Sequence, residues 1–405
     1  MTIGVEGFIG ERLTEAREAR GILTMSTFAD MMEITRNAVS VYEMNKVKPR
    51  PELLAKIADK LAVKESYFLT PIDRAKPNTI FQRSRHALTK HHRTIAERWF
   101  DWTKYLIDVY LKSYIEMPRL NIPNQHDLGI PDDPRKLTDS SIENIALRCR
   151  EFWGLGSFPI DNLTAVLENN GIFVTHGLTN SDKLDAFSSL SEFDGSFHIF
   201  LGIDKQSATR SRFDASHEFG HLILHSHLAN EFVNDKTHKL LESQANRFAG
   251  AFLMPAYYFK KDVWMTSIEA FKVLKKDWKA SVGAIIKRCD DLGLLGEDES
   301  RVRGLWIKYR NAWQEIEQDD LMLETPQLMK NSMDALLASG LMSKRQILHE
   351  LPFLQTDIER LLNLPEGYLN EDAENVMPFK LKVKESETFY GGGELIYLDG
   401  RRKID

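Results

Sequence analysis

One short run, His217-Glu218-Phe219-Gly220-His221, constrains the fold of this chain more than any other feature. Its spacing has a use only on a helix. At about 3.6 residues per turn, positions i and i+4 stack on one face, so the two imidazoles converge on one point. Asp214 and Ser216 precede the run, and Leu222, Ile223 and Leu224 follow it. That is the pattern of a helix with an apolar body, expected over Arg212–His225. Two converging imidazoles beside a carboxylate form the beginning of a metal centre. His217 and His221 would supply nitrogen ligands to Zn2+, and Glu218 would act as general base on a bound water. The metal is needed because bulk water is a poor nucleophile at neutral pH, and zinc lowers its pKa to about 7.

A catalytic zinc takes a third protein ligand and keeps one position open. Two completions can be tested against the sequence. His227 lies six residues past His221, but Leu224 stands where a glycine would let the chain turn back. The second completion draws a carboxylate from a later helix, expected over Lys239–Leu253, and Glu242 is the candidate. Asn246 falls on the same face as Glu242, and its amide oxygen can accept the far N–H of a ligating histidine. His225 sits one further turn along the first helix, about 5.4 Å away, which suits a supporting or capping role better than ligation. Candidate transition-state donors are His238, Tyr257 and Tyr258.

Composition narrows the remaining chemistry. Only two cysteines occur, Cys149 and Cys289, far apart and in no C-x-x-C spacing. A disulfide scaffold, a cysteine zinc module and an iron–sulfur centre are thereby excluded, and a cytoplasmic setting is expected. No apolar run reaches the roughly 18–20 residues a membrane span needs, so no membrane partner is expected. The formal net charge is −6, so the chain as a whole is no polycation. Between Asp73 and Arg119, however, basic residues outnumber acidic ones. A stretch of that kind can touch phosphates, although a solvated helix face accounts for it more simply.

The 405 residues divide into four parts. Residues 1–70 read as short helices near residues 9–20, Ser26–Met32, Arg36–Met44 and Pro51–Leu61, the last with proline at its start. Thr70–Asn78 is a candidate linker. Residues 71–138 form a basic helical connector, with a long helix from about Thr89 to Ile115 and then a proline-rich boundary. Residues 139–310 mix helices at Ser140–Phe152 and Ile160–Asn169 with strands at Ile172–Thr175 and Phe197–Leu201. Residues 311–405 are helical without an assignable motif, although Ser343–Leu364 has a helix–turn–helix rhythm that amphipathic packing explains equally well. A hairpin closes the chain, from Phe379–Lys384 through Gly391-Gly392-Gly393 to Leu395–Leu398.

The run Arg210–His225, with Glu242–Ala249 and Leu253-Met254-Pro255, resembles the active-site segments of the ImmA/IrrE family of metallo-endopeptidases. Asp185–Ser188 and Leu274–Ser281 add to the likeness, which spans about residues 140 to 310. The resemblance implies a zincin-like fold, the ligand set His217, His221 and Glu242, and Glu218 as acid/base. It also implies that the strand near Phe197–Leu201 borders the cleft and pairs with an extended substrate. Members of the family cut a cognate helix-turn-helix repressor.

Residues 9–69 resemble the lambda-repressor/Cro-like (XRE) helix-turn-helix domain, through Phe28-Ala29, Ile34–Glu43, Lys48–Pro51 and Ile57–Leu61. Arg36, Asn37 and Ser40 would face DNA, since Arg reads guanine and Asn reads adenine in the major groove. Met25 stands where the family usually carries a phosphate-contacting Gln, and Glu33 replaces the turn glycine. Acidic and basic side chains balance over residues 1–70, so a single copy would hold phosphates weakly and a homodimer would compensate.

The expected architecture is therefore multidomain and mainly α with an α+β core. It comprises an N-terminal helix-turn-helix bundle, a central zincin-like metallopeptidase domain and a helical C-terminal region. The expected function is a DNA-binding transcriptional regulator fused to a zinc-dependent endopeptidase that cleaves a repressor-type protein. Two alternatives stand beside it. The zincin-like domain could sense a ligand or signal without proteolysis, or the head could dock a peptidase on a repressor rather than on operator DNA.

Overall fold

A computed structural model describes residues 4–71, 90–177, 186–191, 194–204, 206–228, 235–296, 299–317 and 321–370. Most of the linker expected at Thr70–Asn78 and the whole C-terminal hairpin lie outside the described residues.

The head is built from α1 (Gly10–Ala19), α2 (Met25–Met32), α3 (Arg36–Glu43) and α4 (Pro51–Lys60). Thr24 and Thr35 start the middle pair by accepting the backbone N–H of Thr27 and Ala38, an N-cap exchange that satisfies otherwise orphaned donors. Glu33 closes α2 in the left-handed conformation at φ 56°, the place glycine usually fills. Leu13, Phe28, Val39, Ile57 and Leu61 form the interior. Arg17 and Glu43 pair beside it at 2.9 Å.

The connector helix α5 (Lys90–Lys104) continues through a π-helical stretch, Tyr105–Leu111, into α6 (Lys112–Tyr114). Arg119 is solvated, as expected of the basic stretch, but three of its other basic residues are paired. Arg98 bonds Glu18 of α1 at 2.8 Å, Lys104 meets Asp101 at 3.1 Å, and Lys112 reaches Asp108 and Asp194, each at 2.6 Å. Arg98 and Lys112 thereby tie the connector to α1 and to the residues before β3, while Lys104 pairs within its own helix.

The central region carries one sheet in the order β1-β3-β2, with β1 (Ile172–Gly177) parallel and β2 (Ala186–Leu190) antiparallel to β3 (Phe197–Gly202). Alternation along β3 sends Phe197, Ile199 and Leu201 into a core with Phe219, Leu222 and Ile223. His198 and Phe200 point the other way, against Phe100 of α5. The sheet is thus covered on both faces. This overturns one expectation: β3 is hydrogen-bonded on both sides and has no edge to offer a substrate. The described sheet ends in β1 on one side and in β2 on the other, and β2 was not anticipated as a strand.

Around the sheet pack α7 (Asp139–Phe152), α8 (Leu163–Asn169), α9 (Ala208–His225) and α10 (Asp235–Leu253), followed by α11 (Ala256–Asp262), α12 (Ile268–Trp278) and α13 (Val282–Asp291). Their core runs on to Ile316 in α15 (Trp313–Glu317), past α14 (Glu299–Asn311) and the expected boundary at residue 310. The last helices, α16 (Leu328–Ala338), α17 (Lys344–Glu350) and α18 (Gln355–Leu361), return to the head. Met333, Ile347, Phe353 and Ile358 share a core with Phe68 and Trp102. Asp357 pairs with Arg20, and Lys64 Nζ donates to the Leu351 carbonyl at 2.8 Å. Asp357, Ile358, Glu359 and Leu361 of α18 are buried, so the helix–turn–helix rhythm of this segment serves packing. Among the described residues no helix is long and apolar enough to cross a membrane.

Candidate metal centre

Helices α9 and α10 approach closely because Gly220 faces α10. A Cβ there would lie 3.0 Å from Phe248 Cδ1 and 3.3 Å from the Ala245 carbonyl oxygen. That proximity brings His217, His221 and Glu242 together, with one ligand atom from each within 4.8 Å of the others. His217 Nε2 lies 3.1 Å from His221 Nε2 and 3.3 Å from Glu242 Oε2, and His221 Nε2 lies 3.2 Å from Glu242 Oε1. Three ligands about 2.05 Å from one tetrahedral ion would stand about 3.3 Å apart. Glu242 Oε1 is buried with no hydrogen-bond donor. The donor set and its spacing therefore fit a divalent metal.

Electrostatics agree with the geometry. Burial pushes the Glu242 carboxyl upward in pKa, but the facing imidazoles of His217 and His221 outweigh it and hold the group well below the usual range. Burial lowers the pKa of His217, while the facing Glu242 carboxylate and the charges of Glu218 and Asp214 produce a net rise. The cluster favours a positive charge at its centre.

Two hydrogen-bond chains fix the imidazole tautomers. Asn246 Oδ1 lies 3.0 Å from His217 Nδ1, so this nitrogen carries the proton and Nε2 keeps its lone pair. The second chain starts at the Pro134 carbonyl, which accepts the Gln244 amide N–H at 2.7 Å. Gln244 Oε1 then accepts His225 Nε2–H at 3.1 Å. His225 Nδ1 is left as the acceptor for His221 Nδ1–H at 2.9 Å, which frees His221 Nε2. Burial, and then the neighbouring His221, holds His225 well below its ordinary pKa and so in the neutral form this chain requires. His225 thus touches His221 from behind. Gln244 was missed in the sequence reading, although it lies two residues after Glu242; its role depends on a short 3-10 helix, Pro134–Lys136, more than a hundred residues upstream.

Glu218 is buried and accepts a hydrogen bond from Ser188 Oγ of β2. His238 lies 3.7 Å from Glu242 Oε1, one turn earlier on α10. The other two candidate donors occupy a different neighbourhood: Tyr257 is exposed with Lys261 over its ring, and Tyr258 packs on Phe158. A cleft opens beside Glu242 and Asn246, bordered by Phe213, His238, Trp306 and Trp313. In the head, Arg36 and Asn37 are exposed at the start of α3, and Ser40 is half-buried one turn later.

Two family models match the chain. Residues 171–290 match the IrrE N-terminal-like domain, and residues 13–68 match a helix-turn-helix domain. Both domains expected from the ImmA/IrrE and XRE resemblances are therefore present in one chain. Among curated proteins none matches.

Proposed function

We propose, from the joining of an IrrE N-terminal-like domain to a helix-turn-helix domain, that this chain is a cytoplasmic transcriptional regulator carrying a zinc-dependent endopeptidase. The observation that carries the peptidase reading is the His217–His221–Glu242 trio at tetrahedral donor spacing beside a buried Glu218. These three side chains would hold Zn2+. When bound, the ion supplies Lewis acidity that polarises a scissile carbonyl and acidifies water. Glu218 removes the proton from the attacking water and returns it to the departing amine, and Ser188 holds its carboxylate in place. Asn246 and the Gln244–His225 pair keep the free imidazole nitrogens aimed at the ion. The substrate is a repressor-type protein.

The test incubates zinc-loaded wild type and Glu218→Gln with repressors encoded beside the gene and reads intact masses. Both proteins should bind one zinc, and only wild type should produce a discrete cut. Equal cutting by the variant, or none by loaded wild type, sinks the peptidase reading. DNA binding that survives Glu218→Gln but fails on metal removal would support a sensing domain instead.

The head is read as an operator-binding module, used as a homodimer, through Arg36, Asn37 and Ser40. Exposed Met44 and Val47 close to α3, together with the head's charge balance, favour a second reading in which it docks on protein. Arg36→Ala with Asn37→Ala should lower operator affinity by about tenfold or more in a salt-controlled binding assay. Unchanged DNA binding would leave the docking reading.

A further inference from the structure

Strand β2 presents its two faces to different partners. Ser188 points at α9 and donates to the Glu218 carboxylate, and both side chains are buried. Phe187, the residue before it, points the other way. There it meets Phe100 of the connector helix α5, edge to face, with ring centroids 4.9 Å apart. Phe187 also stacks at 4.9 Å on Phe200, its register partner on β3. Phe200 is backed in turn by β1, where a Cβ at Gly177 would stand 2.6 Å from its ring. With Ala96, these three rings form a small core of their own, apart from the two large ones.

We propose that Phe100 is a positioning residue for the general base: through Phe187 it fixes strand β2, and through Ser188 it fixes Glu218. The proposal rests on the endopeptidase reading and adds to it a residue from outside the peptidase domain, since α5 precedes the residues that match the IrrE N-terminal-like domain, 171–290. Three observations carry it. The first is the weakness of β2. It has five residues and none is β-branched, and among the described residues it pairs with β3 alone. Such a segment has little strand tendency of its own, so the packing of Phe187 decides where it sits over α9.

The second observation is the short route to the base. Phe187 and Ser188 share a peptide unit, so a shift of the first carries the second with it. An O–H···O bond spans only about 2.5–3.0 Å, and Ser188 Oγ soon leaves the range of Glu218. The third is the footing of Phe100 itself. On the same turn of α5, Arg98 pairs with Glu18 at 2.8 Å, and Trp99 Nε1–H donates to the Ala19 carbonyl at 2.9 Å. Phe100 is thus carried by a helix fixed to the head, and it meets β2 as a stop rather than following it.

The experiment uses the zinc-loaded full-length chain and a peptide that wild type cuts, taken from a proteome-derived library. Phe100→Ala empties the space behind Phe187. It should bind zinc as wild type does and lower kcat by about a hundredfold, with KM little changed. Phe100→Leu, the milder change, should lose less, and it carries the comparison if the alanine variant does not fold. Added to Ser188→Ala, either Phe100 variant should cost almost nothing further, because both residues act through one contact. Amide hydrogen exchange should quicken in β2 and stay as in wild type in α9 and α10. Wild-type kcat in the folded Phe100 variants, losses that multiply in the double variant, or unchanged exchange in β2 overturns the role while the peptidase reading stands. Weakened zinc binding also overturns it, by placing Phe100 behind the metal ligands instead. No cutting by loaded wild type overturns both.

Discussion

Removing the Gln244 amide would break the chain of hydrogen bonds that decides which nitrogen of His221 is free. Without Oε1 to accept from His225 Nε2–H, the His225 proton can sit on Nδ1. His221 would then have to present its lone pair to His225 and turn a proton towards the metal position. Gln244→Leu should therefore lose about 10–100-fold in zinc affinity, measured by competition with a chelator. Gln244→Glu, which keeps an acceptor, should recover most of it. Wild-type affinity in Gln244→Leu would show that His221 needs no such support. The histidine spacing alone disclosed His217 and His221, because a helix turns that spacing into proximity. Glu242 needed a second helix to return, and Asn246 followed from being one turn away. Gln244 was not legible because its partner, the Pro134 carbonyl, belongs to a short 3-10 helix that no local pattern connects with it.

Elements meet at this site through one missing methyl group. Glycine inside a helix normally costs about 1 kcal/mol relative to alanine, so Gly220→Ala would stabilise an isolated α9. In the protein the added carbon would press on Phe248 and on the Ala245 backbone, and overpacking costs about 1–3 kcal/mol. The expected outcome is a lower Tm together with weaker zinc binding, because α10 carries Glu242. A raised Tm would mean that the two helices separate freely. The same scale explains why β2 escaped sequence analysis. Ala-Phe-Ser-Ser-Leu is short and carries no β-branched residue, so its strand character comes from pairing with β3. The connector shows the reverse case. Its helix was legible from apolar spacing, but Arg98 and Lys112 were read as part of a solvated face because their partners Glu18 and Asp194 are set by packing.

Across the whole molecule, the tail docks on the central region through Glu168 of α8. Its carboxyl accepts the backbone N–H of Gln327 and Leu328 at the start of α16, at 2.9 and 3.0 Å. Burial raises its pKa from 4.5 to about 7, against the pull of those two donors. A raised carboxyl means that the folded protein keeps a proton the unfolded chain releases. The resulting stability is fully present below pH 4.5 and is lost as the pH climbs through about 7. Relative to Glu168→Gln, wild type should lose about 3 kcal/mol across that window and then level off, as read from denaturant midpoints at several pH values. Parallel curves for the two proteins would contradict the raised carboxyl. The tail's other anchors, Asp357 on Arg20 and Asn363 on His176, join residues more than 180 positions apart. For that reason the core shared by head, connector and tail could not be anticipated.

The sequence by itself determined the helical head, the mainly α architecture with a small sheet, and the two imidazoles with their neighbouring carboxylate. Each is encoded locally, in caps, apolar periods or i,i+4 spacing, where the geometry of one helix or strand suffices. Tertiary structure alone decided which strands end the sheet, which nitrogen each histidine leaves free, and that Arg98 and Lys112 of the connector reach Glu18 and Asp194. These depend on surfaces that meet only after the chain has folded, through contacts made by residues remote in sequence.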